Sequence, residues 1–170
     1  EQVLQRLIAA RADVQQATND GTSPLYVAAQ KGHEQVLQRL IAARADVQQA
    51  RNSGASPLYI AAQNGHEQVL QRLIAARADV QQAANDGISP LYVAAWGGYE
   101  QVLQRLIAAR ADVQQATNDG TSPLHVAAQK GHEQVLQRLI AARADVQQAR
   151  NSGASPLYIA AQNGHEQVLQ

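Results

Sequence analysis

The chain has 170 residues, with 14 basic and 14 acidic side chains that cancel to zero formal charge, and neither cysteine nor methionine. Balanced charge supplies no long-range field toward nucleic acid or an anionic membrane, and without cysteine there is no disulfide frame and no thiolate chemistry. No secretory leader or membrane-length apolar run is visible, so the expectation is a soluble protein, cytoplasmic or recombinant.

The sequence repeats every 33 residues: Ser-Pro-Leu returns at Ser23, Ser56, Ser89, Ser122 and Ser155, and EQVLQRLIAARADVQQA begins at Glu1, Glu34, Glu67, Glu100 and Glu133. Such a period means stacked supersecondary units, none of which can bury its apolar face alone. The expected organisation is one array: a partial unit at 1–18 holding only a second helix, full units at 19–51, 52–84, 85–117 and 118–150, and a partial unit at 151–170.

Within one unit the elements follow from local chemistry. Asn19-Asp20-Gly21 is a turn in which a side chain caps its own backbone and glycine accepts positive φ. Ser23-Pro24 then supplies a hydroxyl N-cap and a proline at the first helical position. A short helix over 25–30 follows, and Gly32 ends it. Glu34 opens a second helix, with Val36, Leu37, Leu40 and Ile41 on one stripe. Arg44-Ala45-Asp46 turns the chain toward the next tip.

The stretch GTSPLYVAAQKGHEQVLQRLIAARADVQQ resembles the ankyrin repeat, whose pattern runs through Gly-x-Thr-Pro-Leu-His-x-Ala-Ala, Gly-His and Gly-Ala-Asp-Val. The resemblance covers the whole chain. It implies an all-α solenoid of L-shaped units, each with a hairpin-like tip and two antiparallel helices, stacked into a curved superhelix. It also implies a non-catalytic module that binds another protein or peptide in a concave groove of tips and first helices. The chain departs from the pattern at several positions. Serine replaces threonine before proline, and Tyr26, Tyr59, Tyr92 and Tyr158 replace the family histidine, which survives only at His125. Arg11, Arg44, Arg77, Arg110 and Arg143 stand where the family has glycine. These arginines are expected to take positive φ, at roughly 1–2 kcal/mol of strain each.

Residues 100–170 reproduce residues 1–71 with one change, His125 for Tyr26. Either recent duplication or deliberate construction gives that pattern, and the identical second helices favour an engineered or consensus-like array. An alternative function is therefore a structural array without a physiological partner, its copies associating head to tail through Val3, Leu4, Leu7 and Ile8 at one end and Leu157 and Ile159 at the other. Glu1 and Glu166 would keep such a contact in register, and a contact of that kind does not close.

The copies differ mainly at the tip and at the end of the first helix, positions that by resemblance line the groove. The middle unit alone carries Ile88, Trp96, Gly97 and Tyr99. Trp96 is the expected anchor, Gly97 the residue that avoids crowding a partner, and Ile88 and Asp86 the adjoining tip. Gln63, Asn64, Thr121, Gln129 and Lys130 complete the expected partner-binding set.

Catalytic, metal and cofactor readings are weak. Ser23, His33 and Asp46 recur at framework positions in nearly every unit, whereas a nucleophile needs one specific base and a pocket. Equivalent histidines on helices about 8–10 Å apart do not share an ion held at roughly 2 Å. Trp96-Gly97-Gly98 lacks both the strand context and the lysine of a phosphate loop. Balanced charge favours solvated arginine faces over a nucleic-acid surface.

Overall fold

A computed structural model describes residues 2–165 and contains, among them, ten helices and no strand. They are α1 (Gln2–Ala9), α2 (Pro24–Lys31), α3 (Glu34–Ala42), α4 (Pro57–Gln63), α5 (Glu67–Ala75), α6 (Pro90–Gly97), α7 (Glu100–Ala108), α8 (Pro123–Lys130), α9 (Glu133–Ala141) and α10 (Pro156–Gln162). First helices α2, α4, α6, α8 and α10 stack in one row and second helices α3, α5, α7 and α9 in another, each pair joined within its repeat. The result is a two-layered all-α solenoid. A second helix expected to begin at Glu166 lies outside the described residues, as does Glu1.

Each first helix starts on a serine whose Oγ accepts an amide N–H three residues on, as Ser23 does from Tyr26 at 3.2 Å. Gly32, Gly98 and Gly131 close α2, α6 and α8 in the left-handed region, whereas Asn64 and Asn163 follow α4 and α10. Leucines at the two core positions of α3, α5, α7 and α9, such as Leu70 and Leu73, are buried in one cluster with the paired alanines of the first helices. Small side chains there let the helices approach closely, so each repeat buries its apolar face on its neighbours.

The arginine at the end of every second helix has positive φ, between 62° and 66° from Arg11 to Arg143. A glutamine clamp fixes this loop to the preceding repeat. Gln81 Nε2 donates to Arg110 O at 3.0 Å while its Oε1 accepts from the Asp112 amide at 3.0 Å. Gln15 and Gln114 repeat both contacts.

Three features correct or extend the sequence reading. The turn asparagines do more than cap their own turns: Asn52 Nδ2 donates to Asn19 O at 3.1 Å and Asn85 Nδ2 to Asn52 O at 3.0 Å, which ties tip to tip along the array. The second-helix arginines pair across repeats, Arg72 with Glu34 at 3.0 Å and Arg105 with Glu67 at 3.1 Å. At the ends, Val3 is 71% and Leu157 63% exposed, but Ile159 is 5% exposed, because its side chain faces inward from α10. Leu4 and Ile8 are half-buried.

Candidate functional site

The middle repeat departs from its neighbours where α6 ends. Trp96 lies in the last turn of that helix and is 49% exposed, although its backbone is held firmly: Trp96 O accepts from His132 Nε2 at 2.8 Å. The carbonyl can only accept, so Nε2 carries the proton. The same contact joins His66 to Gln30 O and His165 to Gln129 O, both at 3.0 Å. These histidines are between-repeat donors that hold the ends of the first helices.

Tyr99 takes the histidine's place in the third repeat, and its ring lies between Gly65 and Gly97. A Cβ on Gly97 would collide with that ring. Gly97, read from sequence as clearance for a partner, thus also has a reason inside the chain: it makes room for Tyr99. Beside it Gln63, Val93, Trp96 and Gly97 line a shallow cavity of about 190 Å³. From the fourth repeat, Lys130 Nζ stands 5.0 Å from the centroid of the indole, within cation–π range.

Six of the nine residues singled out from sequence lie at the ends of the first helices: Gln63, Trp96 and Gly97 around the cavity, Lys130 over the indole, and Asn64 and Gln129 next to them in the chain. Asn64 is partly committed, since its Nδ2 donates to Gln30 O at 3.1 Å. Gln129 is exposed, and its Oε1 accepts from Arg150 Nη2 at 3.5 Å. Asp86 and Ile88 lie at the tip, separated from Trp96 by the length of α6, about 12 Å. Asp86 is exposed and its Oδ1 accepts the Ile88 amide at 3.0 Å, while Ile88 is half-buried against the core. Thr121 does not belong to an accessible surface. It is 3% exposed and its hydroxyl donates to Asp119 Oδ2 at 3.0 Å. The sequence reading missed Lys130 as a direct neighbour of Trp96 and Val93 as the cavity floor. Their spacing, one repeat plus one residue for Lys130 and i−3 on the helix for Val93, is the signal that would have found them.

The tips carry the remaining electrostatics. Asp20 accepts from Thr18, Thr22 and Arg51, and these hydrogen bonds hold its carboxyl well below the usual carboxylate range. Asp119 is lowered in the same direction, first by Thr117. Arg51 also lies 5.3 Å from the Tyr26 ring centroid. In the fourth repeat His125 is fully buried. Its Nδ1 faces Ser122 Oγ at 2.7 Å and the Ser122 amide at 3.3 Å, and its Nε2 faces Ala154 O at 3.1 Å. Burial pushes the His125 pKa down. Tyr59, mainly through burial, is pushed up to about 12.

An uninterrupted stack of helix pairs with short tips, and a row of first-helix ends in which one repeat alone carries a tryptophan, defines a repeat scaffold. The family model described as "Ankyrin repeats (3 copies)" matches residues 1–84, 45–117 and 91–170, and the chain belongs to that family. Ankyrin repeats are generally protein-interaction modules and are typically non-enzymatic. No curated protein matches the chain.

Proposed function

We propose that the chain is a non-enzymatic binding scaffold whose groove of tips and first helices takes another protein or peptide, with Trp96 as the anchor. The observation that supports this most is a large aromatic side chain left half exposed beside a cavity while its own backbone is tied down by His132. With its backbone fixed, a tryptophan has only two side-chain torsions left to order on binding, and tryptophan is among the residue types most enriched at hot spots. Its position on the third of five first helices suits an anchor, since hot spots cluster near the centre of an interface. Lys31, Asn64, Lys130 and Asn163 form the polar rim. The test compares lysate captured by the array, by its Trp96→Gln variant and by an array built only from the first repeat type. Specific capture lost in both controls supports the reading, and capture shared by all three contradicts it.

A second reading is a structural array that associates head to tail. The near-exact repetition of residues 1–71 in residues 100–170 supports it, since a contact between like repeats continues from one copy to the next without closing. Sedimentation of the 170-residue chain over a wide concentration range tests it, and a strict monomer throughout contradicts it.

A further inference from the structure

We infer that the ligand of this surface is a linear peptide segment with an apolar side chain two or three residues away from a carboxylate, the apolar group lying toward Gln63 and the acid toward Lys130. The inference rests on the groove reading above and gives it a chemistry and a direction. The indole of Trp96 has two unlike flanks. On the second-repeat side is the cavity bounded by Gln63, Val93 and Gly97, uncharged and floored by a core valine. Tyr99 keeps it open, because the ring leaves no room for a side chain at position 97. That flank suits an aliphatic or aromatic side chain.

On the fourth-repeat side is the Lys130 ammonium over the ring. Lys130 is exposed and, among the described residues, has no ion pair. An aromatic face orients an ammonium without neutralising it, so Lys130 can hold a carboxylate while remaining on the indole. A basic ligand would compete with Lys130 for the ring and be repelled by it. At the equivalent first-helix ends (30/31, 63/64, 96/97, 129/130 and 162/163) the formal charges are those of Lys31 and Lys130, and no acid is present. Neighbouring helices stand roughly 8–10 Å apart and an extended chain advances about 3.3 Å per residue, so two or three residues span the two flanks.

The experiment pans a phage-displayed library of random linear twelve-residue peptides on the full chain and on its Trp96→Gln, Lys130→Gln and Lys130→Glu variants, each checked for folding by circular dichroism. The original chain should enrich sequences that place Leu, Ile, Val or Phe two or three positions from Asp or Glu. A synthetic peptide from that pool should bind the Lys130→Gln variant about threefold more weakly, within the range of exposed ion pairs. Panning on Lys130→Glu should replace the acid preference with Lys or Arg, and Trp96→Gln should lose the pool. Peptides that depend on Trp96 but show no acid preference, unchanged in Lys130→Glu, would overturn the inference and leave the groove reading standing. No enrichment over Trp96→Gln would overturn both.

Discussion

The third repeat and the repeats beside it have the same second helix, the same serine caps and the same paired alanines, yet their first helices end differently. In the first repeat the end is Gln30-Lys31-Gly32-His33; in the third it is Trp96-Gly97-Gly98-Tyr99. The changes are coupled rather than independent. Tyr99 occupies the space a side chain at 97 would need, and the same absence of a side chain opens one flank of Trp96. A scaffold of this kind lets a binding surface change while the packing that supports it stays fixed. The first and fourth repeats give a sharper comparison, because they differ in one residue. With Tyr26, Arg51 at the end of the same repeat lies over the ring and pairs with Asp20. With His125, a neutral chain runs from Ser122 through the imidazole to Ala154 O.

The largest expected effect comes from breaking the coupling in the third repeat. Gly97→Lys should destabilise the array by about 1–3 kcal/mol through overpacking against Tyr99. Adding Tyr99→His restores the Lys-Gly-His run that follows Gln30 in the first repeat and should recover most of the loss. Denaturant melts of both single variants and the double variant measure the coupling energy, and simple additivity would contradict the account.

The next effect separates the first and fourth repeats by pH. Burial lowers the folded-state pKa of His125 below its unfolded value, so the unfolded chain binds more protons between the two. This contribution to stability is complete above the unfolded value, about 6.5, and is lost as pH falls from there toward the folded pKa. His125→Tyr, which makes the fourth repeat match the first, should remove that part of the pH dependence in melts followed from pH 8 to pH 5.

The smallest effect concerns the positive-φ arginines. Arg77→Gly relieves roughly 1–2 kcal/mol of strain but adds about 0.5–1 kcal/mol of chain entropy and loses about 0.3–1 kcal/mol of charge at the helix end. A melting temperature unchanged or slightly raised is expected. A clear drop would reveal contacts of the guanidinium that offset the backbone strain.

Much of the fold was legible because its signals are local. Ser23-Pro24 and Gly32 punctuate a helix within ten residues, and arginine standing where the family has glycine announced the left-handed backbone later found at all five positions. The between-repeat links were not legible. The Asn52-to-Asn19 ladder and the Gln81 clamp join residues about one repeat apart, and their side chains could equally serve a turn or face solvent. Thr121 looked available because it sits at a tip, but it is buried and its hydroxyl is already spent on Asp119. Ile159 looked exposed because it lies near an end, but on the 3.6-residue period of α10 it shares the inward face with Pro156 and Ala160 while Leu157 and Tyr158 face out. At the candidate site, the distinctness of Trp96 was legible while its two flanks were not, since both depend on how the second and fourth repeats approach it.

The central claim is that Trp96 is a binding anchor and not a packing residue. Titrating one library-selected peptide into the original chain and into Trp96→Gln, with thermal melts of both proteins in the same buffer, tests it most directly. The account predicts affinity weakened by about 2 kcal/mol or more, roughly thirtyfold, with stability changed by no more than about 0.5 kcal/mol. Unchanged affinity together with a clearly lower melting temperature would contradict it and make the tryptophan part of the scaffold.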